Sequence, residues 1–309
     1  MNIVFMGTPD FSVPCLEAII GQGHNVSLVV TQSDKPKGRG HKLTPPPVKE
    51  CAISHNIPVY QPEKMKDDAA YETLKAENAD LFVVVAYGKI LPQRILDLPK
   101  YGCINVHASL LPKYRGAAPI QWSIICGEDK TGVTTMQMDV GLDTGDMLIK
   151  KEIEIAKDET GESLHDKLSL LGKDVLIETL NALENGTLSP EKQDDSLSCY
   201  APMIDKNTAK IDFEKSAEEI ALLVRAMNSY PYAHTTYEGK LLKIIMAEPL
   251  SGDFSGKNGE ILAVKEGKLL IKCGANALSV SEIQMEGKKK MPVSEYVKGN
   301  SFTIGIVLE

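Results

Sequence analysis

The chain has 309 residues, 43% apolar and 25% charged, with a formal net charge of −8, enough for two domains of roughly 100–200 residues with their own cores. No stretch of about 18 apolar residues appears, so no membrane span is expected, and the opening MNIVFMGTPDFSVP has neither a basic leader nor a small-residue cleavage site, which points to the cytoplasm. Six cysteines without a C-x-x-C pair argue against a zinc knuckle or a disulfide framework and fit small core residues in a reducing compartment.

Residues 2–6 (NIVFM) form a short apolar run ending at Gly7. Ser12 is placed to cap, and Pro14 to open, a helix through Ile20 that stops at Gly21 and Gly23. NVSLVVT (25–31) is a second strand, and strand–helix–strand over about 30 residues implies a parallel sheet. The turn GTPDFS lacks G-x-G-x-x-G, which removes most support for a dinucleotide.

KPKGRGHKLTPPPVK (35–49) reads as a long basic loop, with Arg39 free to reach between Gly38 and Gly40. A loop of that length inside a compact domain is usually functional. ADLFVVVAYG (79–88) is nearly all apolar, as a parallel strand covered on both faces should be. LPQRILDLP is a short helix, CINVHAS a strand, APIQWSIICG a helix, and GVTTMQMD and DMLIKKEIEI further strands. Residues 161–186 carry a 3.6-residue apolar period that ends at Gly186, a long helix with a C-cap.

Residues 190–206, in a polar, aperiodic and Pro-bearing stretch, are expected as a linker between domains at 1–189 and 207–309. From Lys206 onward 14 Lys/Arg balance 13 Asp/Glu, so the acidic excess belongs to the first domain. After one helix (EEIALLVRAMN) come AHTTYEG, KLLKIIMAE, GEILAVKEG, KLLIKCG, ALSVSEIQME and SFTIGIVLE. Short strands at that spacing suggest a small antiparallel barrel.

Chemistry concentrates in CINVHASLLPKYRGAAPIQW (103–122). Asn105 and His107 are two apart in a strand and share a face, at the carboxyl end where open parallel sheets place their sites. A histidine at a strand end is commonly a packing residue; a second polar group on its face, just before a Pro/Gly loop, weighs against that. An acid should orient the ring, and DVGLDTGD offers Asp139, Asp143 and Asp146. Their spacing misses the calcium-loop pattern, and no metal is expected. Ser109 lacks a G-x-S-x-G elbow, GDFSGKN fails as a phosphate loop, and Lys288–Lys290 reads as turn decoration, with phosphate contact the lesser alternative.

In order along the chain, MGTPDF, TQSDKPKGRGHKL, VVVAYGKILP, CINVHASLLPKYRGAAPIQW, MQMDVGLDTGDML and YAPMIDKNTAKID resemble the methionyl-tRNA formyltransferases. The N-x-H-x-S-L-L-P-x-x-R-G and D-x-G-x-D-T-G patterns are shared by the wider folate-dependent formyltransferases. The 31–43 loop and the tail domain point to the tRNA-using branch. The resemblance implies an α/β fold, a Rossmann-like, mostly parallel sheet domain followed by an OB-like β-barrel. It implies 10-formyltetrahydrofolate as donor, no metal, and initiator methionyl-tRNA as acceptor, on a monomer.

Carried over by residue, the resemblance implies a catalytic trio of Asn105, His107 and Asp143. Folate contacts fall on Ser109, Leu110, Leu111 and Pro112, and on Tyr87, Gly88, Ile90 and Leu91. Contacts to tRNA fall on Lys35, Lys37, Arg39, Lys42 and Lys206. Asn105 and His107 would steady a developing oxyanion, with Asp143 orienting the imidazole. The alternatives are formylation of glycinamide ribonucleotide or an amino sugar, hydrolysis of the donor, and RNA binding without catalysis.

Overall fold

The computed structural model describes residues 1–37 and 42–309. The chain divides into two compact units, Met1–Pro119 with Lys130–Ile153 and His165–Ala201, and Ile120–Asp129 with Glu154–Leu164 and Pro202–Glu309.

In the first unit β1 (Asn2–Gly7), α1 (Val13–Gly21) and β2 (Asn25–Val30) make the expected unit, with β1 and β2 parallel. Ser12 does not cap α1; its hydroxyl donates to Val85 O at 2.6 Å, tying the turn after β1 to the end of a neighbouring strand. The basic loop contains two strands: β3 (Lys35–Lys37) and β4 (Lys42–Thr44) pair antiparallel, with Lys37 opposite Lys42. Arg39 lies outside the described residues. The proline run ends by opening α2 (Pro47–Ser54), because Pro47 lacks an N–H only where the helix has no use for one.

Next come β5 (Val59–Tyr60), α3 (Asp68–Ala76), β6 (Leu81–Val85), α4 (Gln93–Leu96) and β7 (Cys103–His107). They are followed by β8 (Arg115–Gly116), α5 (Pro119–Ile125), β9 (Lys130–Gln137), β10 (Met147–Glu154), α6 (Gly161–Glu184) and β11 (Tyr200–Ala201). Gly186, at φ 66°, follows the end of α6 as its C-cap period requires.

Among the described residues the main sheet has order β10-β9-β7-β6-β1-β2-β5. From β7 to β5 the neighbours are parallel, and β9 runs antiparallel to β7. Every residue of β6 is buried, as its apolar run demands. The chain reverses its direction of travel across the sheet between β1 and β6, so a crevice opens at their carboxyl ends.

The second unit holds α7 (Ala217–Ala226), started by a reciprocal Ser216–Glu219 capping box. Its sheet has order β12 (His234–Tyr237), β13 (Lys240–Leu250), β16 (Ala277–Met285), β15 (Lys268–Lys272), β14 (Ile261–Lys265), each contact antiparallel. β17 (Met291–Pro292) pairs with β16, and α8 (Val293–Tyr296) follows. SFTIGIVLE is not a regular strand, yet its end reaches both sheet edges. Glu309 exchanges backbone hydrogen bonds with Thr236 on β12, and Ile306 O accepts from Ile261 N on β14 at 2.8 Å. Among the described residues no helix is long and apolar enough to cross a membrane.

Candidate active site

Alternation along β7 separates packing from chemistry. Val106 pairs with Thr135 of β9, and the Thr135 hydroxyl meets that of Thr179 on α6 at 2.7 Å, so this face lies under the helix. Cys103, Asn105 and His107 point the other way. Cys103 closes an apolar cluster with Phe82 and Val84, and burial pushes its thiol up to about 12. Beyond it the apolar face ends and the polar pair begins. Asn105 is half-buried, and among the described residues its carboxamide makes no hydrogen bond.

His107 is only 5% exposed. Its Nε2 lies 2.9 Å from Tyr114 O and its Nδ1 3.7 Å from Asp143 Oδ2. A carbonyl can only accept, so Nε2 carries a hydrogen. In the neutral ring Nδ1 is therefore the lone-pair nitrogen, and it faces the carboxylate. Nδ1 is thus the ring nitrogen open to a proton, on the side of the Asp143 carboxylate.

Asp143 sits at φ 53° in the loop after β9. Its Oδ2 accepts from Gly116 N at 2.8 Å, fixing the carboxylate against the loop that follows His107. The other two acids do different work. Asp139 Oδ1 accepts from Gly141 N and Thr144 Oγ1 at 3.0 and 2.7 Å, closing its own turn. The Asp146 backbone O accepts from Gln137 N, continuing the ladder. Gly145 is buried, and a Cβ there would lie 1.7 Å from Gln137 O.

The residues read as folate contacts divide by burial. The Ser109 hydroxyl donates to Lys113 O at 2.6 Å, shaping the turn rather than standing free as a nucleophile. Leu110 and Pro112 are half-buried, and Leu111 is buried with Met136 and Met147. On the loop after β6, Tyr87 and Leu91 are buried while Gly88 and Ile90 are exposed. Burial raises the Tyr87 phenol, whose hydroxyl meets Met65 Sδ at 3.1 Å. Its backbone O accepts from Gln32 Nε2 and Thr8 Oγ1 at 2.9 and 3.1 Å, joining the turns after β1, β2 and β6. Exposed Ile90, Val140 and Leu142 stand on the loops flanking the trio.

Of the residues read as tRNA contacts, Lys35 is exposed and donates to Gln32 Oε1 at 3.0 Å. Lys37 and Lys42 face each other across the hairpin backbone. Lys206 is exposed in the second unit. Sequence reasoning missed Tyr114, because its contribution is a backbone carbonyl, and Gln193, which reaches the Asp143 loop from 50 residues away.

One cluster of metal-ligating atoms occurs among the described residues: Glu17, Cys51 and His55, within 4.8 Å of one another. Burial and Glu17 push the Cys51 thiol up, the reverse of what a thiolate ligand needs. The cluster shares no element with the trio.

Residues 1–180 match the Formyl transferase family and residues 203–301 match Formyl transferase, C-terminal domain. The whole chain aligns with the methionyl-tRNA formyltransferase of Geobacter metallireducens at 50% identity, covering 98% of that protein. It aligns with that of Clostridioides difficile at 51% identity, covering all of both chains. Among solved structures, an N-formyltransferase from Helicobacter canadensis in complex with folinic acid and dTDP-3-aminofucose superposes with TM-score 0.69 at 22% identity, over 92% of this chain and 98% of that one. HypX from Aquifex aeolicus in complex with tetrahydrofolic acid gives TM-score 0.66 at 20% identity, over 97% of this chain and 47% of that one. At such identities the two structures speak for the fold alone.

Proposed function

Because the chain belongs to the formyl transferase family, at half identity to methionyl-tRNA formyltransferases over its full length, we propose that it formylates methionyl-initiator tRNA. The donor is 10-formyltetrahydrofolate, and the enzyme works as a cytoplasmic monomer with a catalytic domain at 1–189 and a tRNA-binding domain at 207–309. Hydrogen bonds from the 306–309 tail to both outer strands support reading the second domain as an OB-like barrel.

The residues fit a folate. Asn105, paired with Met136 across the sheet, offers an uncommitted carboxamide, with exposed Ile90, Val140 and Leu142 on the flanking loops for a flat ring. Leu91, Tyr87 and the 109–112 turn provide the wall behind them. The folate supplies an electrophilic formyl carbon. Asn105 aims an N–H at the oxygen that gains charge as the amine attacks, and such a donor is worth about 2.7–4 kcal/mol in acyl transfer. His107 takes or gives a proton at Nδ1, and Asp143 holds the cationic ring in place. No covalent enzyme intermediate is needed.

The observation that carries this reading is the His107–Asp143 contact, made between the end of β7 and the loop after β9, with an unpartnered Asn105 two residues before the histidine.

For the acceptor, the β3–β4 hairpin carries Lys35, Lys37 and Lys42, and the resemblance adds Arg39. In the second unit the Nζ atoms of Lys243 and Lys290 each lie 4.7 Å from the Tyr232 ring centroid, near an exposed Tyr230. Cations interleaved with aromatic rings suit a nucleic acid better than a small amine. Purified protein given labelled donor decides the matter: label should pass to initiator methionyl-tRNA well ahead of elongator methionyl-tRNA. Transfer to glycinamide ribonucleotide or an amino sugar instead, or formate released without acceptor, would replace this reading.

A further inference from the structure

The inference rests on reading Asp143 as a member of the catalytic trio. Residues 191–201, which resemble a linker in sequence, are fastened to both loops of the site. Glu191 exchanges backbone hydrogen bonds with Met147 at 2.8 Å each. The Gln193 carboxamide then donates to Asp143 O at 2.8 Å and to Gly145 O at 2.7 Å. Its oxygen accepts from Arg115 Nε at 2.9 Å, while Arg115 Nη2 donates to Asp195 at 2.7 Å. Further on, β11 pairs in parallel with β8, so Tyr200 lies beside Arg115 and Ala201 beside Gly116. Gly116 is the residue whose N–H holds the Asp143 carboxylate.

Gln193 therefore uses both amide hydrogens and its carbonyl at one place. The hydrogens grip the carbonyls on either side of Thr144. The oxygen is held by an arginine that belongs to the His107 loop. Asp143 is left-handed at φ 53°, a conformation a non-glycine residue keeps only where its surroundings over-determine it. Asparagine would be too short for this span, glutamate has no hydrogen to donate, and lysine could not accept from Arg115.

We propose that Gln193 is a positioning residue for formyl transfer: it fixes the turn that aims the Asp143 carboxylate at His107, with Arg115 orienting the carboxamide. It touches no substrate and acts through Asp143.

The test crosses Gln193→Ala and Gln193→Glu with Asp143→Asn in the full-length enzyme. Each Gln193 variant should lower kcat by about tenfold or more with KM for the folate within about twofold, the pattern of a group that matters only in the transition state. In the Asp143→Asn background, Gln193→Ala should cost less than about twofold further, because residues acting as one unit are not additive. The Gly116 amide proton should also move upfield in both Gln193 variants as its carboxylate partner loosens.

Gln193→Glu keeps the size and the bond to Arg115, so it decides the question if Gln193→Ala unfolds. Wild-type kcat in Gln193→Glu, or losses that multiply with Asp143→Asn, would overturn the positioning role. If Asp143→Asn itself turns over normally, the catalytic reading beneath it falls; if Asp143→Asn is crippled and the Gln193 variants are not, only the positioning role falls.

Discussion

His107 Nδ1 and Asp143 Oδ2 approach to 3.7 Å, although the histidine ends strand β7 and the aspartate lies in the loop after β9, and the carboxylate is anchored by the backbone of Gly116 rather than by the imidazole. The acid is thus positioned independently of the ring's charge. The first prediction follows for the trio. Asn105→Ala, which removes a donor to the developing oxyanion, and His107→Ala, which removes the proton-handling group, should each lower kcat by about 10²-fold or more, with unchanged circular dichroism. Near-wild-type turnover by either purified variant removes that residue from its role.

For the tRNA surface, binding should weaken as salt rises, because each neutralised phosphate releases counterions. Lys243→Ala and Lys290→Ala should each flatten the log–log slope by about 1, without changing donor turnover on a minimal aminoacyl substrate. The slope is measured by titrating labelled tRNA at several salt concentrations. A salt-independent affinity would remove phosphates from the contact.

A third expectation concerns acid. Hydrogen bonds from Gln61 and Lys49 hold the Asp34 carboxyl below its ordinary value of 3.8, and the Lys49 Nζ lies 2.8 Å from it. A depressed folded value means the carboxylate stabilises the fold above the unfolded pKa and loses that contribution as pH falls through the folded one. Gln61→Leu should move the Asp34 titration upward by NMR, and its stability deficit relative to wild type should shrink below about pH 4. A deficit independent of pH would exclude the carboxylate as its source.

Thiol labelling offers a fourth check. Cys126 and Cys199 are exposed, whereas Cys15, Cys51, Cys103 and Cys273 are buried. Burial pushes the Cys15 and Cys103 thiols up to about 12 and that of Cys273 up to about 11. Two thiols should react rapidly with a disulfide reagent in the native protein and the other four only on unfolding. More than two fast thiols would contradict the packing around α1 and β7.

Most of the first unit could be read directly, because its strands are unbroken apolar runs and its helices carry a clear period. The Asn105–His107 face was legible from alternation alone. Composition could not choose among Asp139, Asp143 and Asp146; the resemblance pointed to Asp143, and only geometry shows Asp139 closing its own turn. The hairpin at 35–44 was hidden because both its strands are only three residues long, KPK and KLT, and the first carries a proline. Gln193 was invisible for another reason. Its partners are main-chain oxygens, which leave no side-chain signature, and aperiodic polar sequence reads as a linker whether it is slack or fastened.

The tight contact at Gly145 has an evolutionary corollary. With a carbonyl occupying the space any side chain would need, a saturation library should find this position closed to all nineteen replacements, while Leu142, three residues earlier and 54% exposed, accepts many. Lineages can therefore retune the rim of the loop, but only around a fixed point that drift cannot cross.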